Sequence, residues 1–261
     1  MTSYLPDKAA AVLHESRQRC EQLAPLAKDI APRTEVEGAA VQHALARRLG
    51  ATSPGGFKIG ATAKRMQDYL GLSGPAAGFM AIGNIYPSGV DFRLAEFVRP
   101  GVECELAVRL ARDLPPGPCL PEQAAEAVGE LMAGIEIVDN RYGELLELGV
   151  PTLIADQVFH AACVLGEPGV QDWRALDIGA LRGRLIVEGH QRDEGVGADL
   201  MGHPMNCLAW LAGSPVAAAF GGLKAGQVVM LGSVTPPVWL TEPANVTVDF
   251  SPLPPVQVRL S

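Results

Sequence analysis

Two apolar, β-branched-rich runs carry acidic residues at positions where burial makes them costly. They are Val102-Glu103-Cys104-Glu105-Leu106 and, about thirty residues later, Ile135-Glu136-Ile137. In a strand, residues two apart share a face, so Glu103 and Glu105 point one way and Cys104 the other. An unpaired ionised carboxylate is expensive to bury. Two on one face also repel, unless a cation or a proton holds them together. The pattern asks for a hard divalent metal. The plainer alternative is a half-exposed strand whose polar residues alternate toward solvent. Glu136 weighs against it, because it stands between two isoleucines and just before Val138-Asp139-Asn140-Arg141. Three oxygen ligands with open positions suit Mg²⁺ or Mn²⁺.

The 261 residues are 48% apolar, enough for one large domain, or one domain with a small appendage. Only 19% are charged, and the net charge of −8 comes with no basic block, which argues against nucleic acid as a partner. The five scattered cysteines include no C-x-x-C pair and read as reduced thiols of a cytoplasmic protein. The opening Met-Thr-Ser-Tyr-Leu-Pro-Asp-Lys lacks the pattern of a secretory signal. The apolar stretch 208–223 is interrupted by Gly213, Ser214, Pro215, Gly221 and Gly222, which disfavours a membrane span.

Helical spacing predicts helices over 7–23 and 35–49, the second closed by Gly50. From Phe57 onward the texture changes to short β-type runs punctuated by Gly and Pro: 57–59, 102–110, 135–138, 185–187, 228–231, 246–250 and 256–260. Two further helices are expected over 121–132 and 203–211. The strands are too many and too irregularly spaced for a repeating βαβ unit. The expectation is an α+β chain: a helical segment over 1–52, then a β-rich, mixed-sheet roll or sandwich over 53–261.

Lys58, in Gly55-Gly56-Phe57-Lys58-Ile59-Gly60, is either an inward-facing cation or a lysine guarding a strand edge. Gly232-Ser233-Val234-Thr235-Pro236-Pro237 follows a strand; its hydroxyls and free N–H groups could hold a carboxylate, or it is an ordinary turn. Gly195 to Gly202 matches a dinucleotide loop only loosely, and no strand leads into it.

Together these segments resemble the 2-keto-4-pentenoate hydratase and 4-oxalocrotonate decarboxylase family, within the fumarylacetoacetase-like superfamily. The resemblance spans roughly residues 25–261. It rests on Phe57-Lys58-Ile59-Gly60-Ala61-Thr62-Ala63-Lys64-Arg65-Met66-Gln67, Val102 to Glu105, Glu136 to Arg141, Ile154-Ala155-Asp156, Gly202 to Leu211, Leu223 to Gly226 and Gly232 to Pro237. It implies a roll of the fumarylacetoacetase C-terminal type, assembled into homo-oligomers. It also implies Mg²⁺ or Mn²⁺ on Glu103, Glu105 and Glu136, with Lys58 as the active-site lysine. The implied substrates are small 2-oxo or 2-hydroxy-dienoic acids from the breakdown of aromatic compounds. Ser233 and Thr235 are expected to help hold them, and Asp139, Arg141 and Asp156 to support the site from behind.

Two departures stand out. Hydratases of this group carry an acidic residue in a P-D-[FY]-G segment, where this chain has Pro75-Ala76-Ala77-Gly78. The family's I-A-D-N-A-S-S segment is Ile154-Ala155-Asp156-Gln157-Val158-Phe159-His160. The paired changes suggest that His160 supplies the acid/base function lost at Ala76; the alternative is that it merely packs. The expected activity is that of a hydratase. Its rivals are decarboxylation of a 2-oxo-enedioate, hydrolysis of an acylpyruvate, and a metal-binding relative without catalysis.

Overall fold

The computed structural model describes residues 6–70, 72–143 and 148–261. Residues 1–5 of the N-terminal stretch and the Arg65 side chain of the lysine motif lie outside the described residues. The helices are α1 (Pro6–Arg19), α2 (Glu35–Arg48), α3 (Lys64–Leu70), α4 (Pro121–Ala127), α5 (Gly149–Ala155), α6 (Pro204–Ala212) and α7 (Pro215–Ala219). Thr34 caps α2 by accepting the Glu37 N–H at 3.1 Å. Gly50 follows α2 with a φ of 66°, as its expected role as terminator requires. Leu13 of α1 and Val41 and Leu45 of α2 share a small core with Ala155 of α5.

The strands are β1 (Gly56–Gly60), β2 (Ala76–Met80), β3 (Ile85–Pro87), β4 (Val90–Phe92), β5 (Pro100–Leu110), β6 (Val128–Asp139), β7 (His160–Leu165), β8 (Arg182–Val187), β9 (His190–Val196), β10 (Val228–Ser233), β11 (Val238–Trp239), β12 (Ala244–Asp249) and β13 (Val256–Leu260). They form two sheets. The larger runs β2-β1-β10-β5-β6-β7-β3 with β11 on β5, and the smaller runs β4-β13-β12-β8-β9. Parallel pairs (β1–β10, β3–β7, β4–β13) occur among antiparallel ones, giving the expected mixed architecture.

The smaller sheet packs across β5 and β6 at the centre of the larger one. A Cβ on Gly183 of β8 would lie 2.3 Å from the Phe250 ring and 2.9 Å from Cys104 Sγ. Cys104 therefore faces the smaller sheet, and strand alternation turns Glu103 and Glu105 to the opposite face. Among the described residues no helix is long and apolar enough to cross a membrane.

Two expected helices are shorter than their periodicity suggests. The one from residue 7 ends at Arg19, where Cys20 takes a φ of 52° and Glu21 N–H bonds back to Ser16 O at 3.3 Å. The one from 121 ends at Ala127, and residues 128–132 instead open β6. There Val128 pairs with Leu110 and Leu131 with Val108, so ladder bonds and burial between strands override a helical pattern that Gly129 already weakens.

Candidate active site

Strand register brings the carboxylates together. In the β5–β6 pair Glu103 lies opposite Glu136 and Glu105 opposite Gly134. One carboxylate oxygen from each of Glu103, Glu105 and Glu136 lies within 4.8 Å of the others. Glu105 and Glu136 are buried, while Glu103 is half-buried at the wall of a cavity. On the other side of β5, the β10 register shifts between Met230 and Ser233. This irregularity presents the Gly232 N–H to Glu105 Oε2 at 3.0 Å. Gly232 has a φ of 115°, and a Cβ there would lie 2.4 Å from Thr62 Oγ1, so the position needs glycine.

Lys58 sits on β1, between β2 and β10, and is 1% exposed, which settles its two readings in favour of the interior. Its Nζ lies 3.1 Å from Glu136 Oε1. His160 Nδ1 lies 2.9 Å from the same oxygen. An ionised carboxylate only accepts, so Nδ1 carries the hydrogen of this contact. His160 Nε2 and Glu136 Oε2 are buried without a hydrogen-bond partner among the described residues.

The charges explain how such a cluster persists. Burial, and then Glu136, push the Glu103 carboxyl up to about 8, against the pull of Lys58. Burial raises Glu105 well above the usual carboxylate range, and Glu136 and Glu103 add to it. Burial acts on Glu136 in the same direction, yet Lys58 and His160 outweigh it and hold that carboxyl below its ordinary value. Burial keeps the His160 imidazole below its ordinary value too, although Glu136 pulls it upward. Glu103 and Glu105 are thus disfavoured as two neighbouring bare charges, and a cation between them would relieve both the burial and the repulsion. Three hard oxygen donors and the unpartnered Glu136 Oε2 fit a hard divalent ion such as Mg²⁺ or Mn²⁺.

A cavity of about 290 Å³ is lined by Lys58 and Glu103 together with Val138, Val158, Phe159, Pro236, Pro237 and Trp239. A small annex reaches Glu105, Ser233 and Thr235. Ser233 Oγ donates to Thr235 O at 2.7 Å and accepts from Cys104 N–H at 3.2 Å, so it ties the loop to β5. Thr235 Oγ1 is buried and has no partner among the described residues.

Gln157, Val158 and Phe159 take φ values of 55°, 51° and 65° in succession. For a β-branched residue such as Val158 this is an outlier, and each such residue stores about 1–3 kcal/mol of strain. Gln157 Nε2 anchors the segment by donating to Phe79 O at 2.6 Å. A Cβ on Gly60 would come within 2.7 Å of Val158 Cγ1, and one on Gly78 within 2.6 Å of Gln157 O. The glycines of the lysine motif and of the segment after Pro75 thus make room for the strained turn. Ala76, where a carboxylate was expected, is buried and pairs with Gly60.

Asp156 accepts from Arg17 Nε at 3.0 Å and from Arg141 Nη2 at 2.8 Å. Burial alone would raise its carboxyl, but Arg141 and Arg17 hold it below the usual range. Asp139 accepts the Val98 and Arg99 N–H groups and lies 3.5 Å from Arg141. These residues connect to one another and to backbone, while the direct hydrogen-bond partners of the carboxylate cluster are Lys58, His160 and Gly232. Sequence reasoning missed Arg17, which carries no local signal of a partner 139 residues away. It also missed Trp239, whose position after Pro236-Pro237 offered a weak one.

Residues 65–261 match the family described as fumarylacetoacetate (FAA) hydrolase C-terminal. The 2-hydroxyhexa-2,4-dienoate hydratase of Comamonas testosteroni is 32% identical over 231 residues, covering 86% of this chain and 85% of the relative. The 2-keto-4-pentenoate hydratase of Paraburkholderia phymatum is 29% identical over 258 residues, covering 98% and 97%. The structure of 4-oxalocrotonate decarboxylase from Pseudomonas putida G7, complexed with magnesium and adipate, superposes with a TM-score of 0.89. It covers 98% of this chain and 97% of that one at 23% identity, a likeness that shows the shared fold.

Proposed function

Because the chain belongs to the fumarylacetoacetate hydrolase C-terminal family, we propose that it is a divalent-metal-dependent hydratase of 2-hydroxy-2,4-dienoates and their 2-oxo-alkenoate tautomers. The observation that carries this reading is the cluster of Glu103, Glu105 and Glu136, with Lys58 Nζ 3.1 Å from Glu136, at the wall of a cavity. Glu103, Glu105 and Glu136 hold Mg²⁺ or Mn²⁺. When bound, the ion supplies Lewis-acid stabilisation of negative charge on the substrate's C2 oxygen.

The chain's own residues do the rest. Lys58 lines the cavity and exchanges protons with the substrate chain through Nζ, while its charge keeps Glu136 ionised. The dienol loses its O2 proton and gains one at C5; water then adds across C3=C4, the hydroxyl at C4 and the proton at C3. The Thr235 hydroxyl receives the substrate carboxylate, with Ser233 holding its loop. His160 fixes the orientation of Glu136, and Asp139, Arg141 and Asp156 brace the turn behind it. Val158 and Phe159 keep bulk water from the reacting carbons.

Assembly into homo-oligomers in a reducing cytoplasm belongs to the same reading; the free cysteines and exposed Val36, Ile82 and Leu120 support it. Incubation with 2-hydroxypenta-2,4-dienoate and with 2-oxohex-3-enedioate, with and without Mg²⁺, tests the proposal. Mg²⁺-dependent loss of ultraviolet absorbance without CO₂ is the expected result. CO₂ release from the enedioate as the sole reaction would establish the decarboxylase instead.

A further inference from the structure

From the walls of the cavity we infer that the substrate's far end, opposite its 2-oxo-acid head, is an uncharged hydrocarbon. This inference rests on the proposed 2-oxo-acid chemistry and adds the class of tail that the site accepts. Apart from Lys58 and Glu103 the described lining carries only apolar side chains and no further charge, among them Met66, Val138, Val158, Phe159, Pro237 and Trp239. Among the described lining residues Lys58 is the only cation, and its Nζ is engaged with Glu136 Oε1. Arg99 lies with its guanidinium carbon 5.5 Å from the Trp239 ring centroid, outside the lining.

A second carboxylate at the tail would therefore lose its hydration against apolar walls without gaining a counter-charge, which is costly. An alkyl, alkenyl or aryl tail would bury apolar area there and gain from it. The cavity, about 290 Å³, sits near the lower end of the roughly 300–1,000 Å³ usual for small-molecule sites, which suits a short tail. Two chain-specific features shape this end. Phe159 stands where the resembled family carries a small hydroxyl residue, and the run of left-handed residues places it in the wall. Trp239, on β11, belongs to the same wall.

The test uses two saturated, unreactive acids of equal chain length, 2-oxohexanoate and 2-oxohexanedioate. Binding of each to the full chain with Mg²⁺ is followed by calorimetry. The monoacid is expected to bind at least tenfold more tightly. Equal or tighter binding of the diacid overturns the inference while leaving the 2-oxo-acid reading standing. Failure of both acids to bind overturns that reading, and the inference with it. Trp239 is 39% exposed, so Trp239→Arg adds a cation to the wall with little cost to the core. With folding confirmed by circular dichroism, the variant should cut the preference at least threefold. An unchanged ratio in the folded variant would show that the wall does not set the preference, which also overturns the inference.

Discussion

Glu103 sits directly opposite Glu136 across the β5–β6 pair, and both carboxylates reach the same small volume as Glu105. The proposed ligand set is assembled in the native state and not in the unfolded chain. Saturating Mg²⁺ or Mn²⁺ should therefore stabilise the protein by about 2.7 kcal/mol at a hundred times the dissociation constant. A chelator should reverse the gain in a thermal melt. Glu105→Gln should abolish most of the metal-induced shift and change the metal-free melting temperature little, since burial and the neighbouring carboxylates already disfavour the charge it removes.

His160 meets Glu136 through Nδ1, so a side chain that can donate from a similar place should substitute for it. His160→Leu is expected to weaken Mn²⁺ binding by about 10–100-fold, and His160→Asn by much less. Titration of Mn²⁺ into each variant measures this. Unchanged affinity combined with a collapse of kcat would return His160 to the acid/base role that the sequence suggested.

Gly78→Ala places a methyl group 2.6 Å from the Gln157 carbonyl. The 157–159 turn must shift, at a cost of about 1–3 kcal/mol. Because Val158 and Phe159 line the cavity, KM should rise along with the loss of stability. A melt that falls without a change in KM would mean that the turn moves independently of the cavity.

Asp156 sets an acid limit. Its native carboxyl is held below the ordinary value of 3.8 by Arg141 and Arg17 against the effect of burial. A depressed native value stabilises the fold fully above the unfolded value, and that contribution drains away as the pH falls from about 4 through the native value. Asp156→Asn should flatten the acid limb of a stability–pH profile below about pH 4. At pH 7 it should cost about 3–5 kcal/mol, because buried Arg141 and part-buried Arg17 both lose the carboxylate charge they share.

The strand from Val102 and the Ile135-Glu136-Ile137 segment were legible because alternation along a strand is a local property. So were α2, with its Gly50 terminator, and the β-rich, mixed architecture. The start of β6 was not legible: residues 128–132 read as helix in isolation, and only pairing with β5 turns them into strand. Three left-handed residues at 157–159 leave no mark in a sequence whose local preference opposes them.

By itself, then, the sequence determined that Glu103 and Glu105 share a face, that Cys104 turns the other way, and that such carboxylates need a cation or protons. It also carried, in ordered motifs, the family to which the chain belongs. Tertiary structure alone decided that Glu136 stands opposite Glu103, that Lys58 and His160 converge on one of its oxygens, and that Arg17 closes on Asp156 from the N-terminal helix. The reason is physical. Side-chain direction follows from backbone geometry within a few residues, whereas partners and protonation states depend on which distant segments the packed sheets bring within a few ångströms.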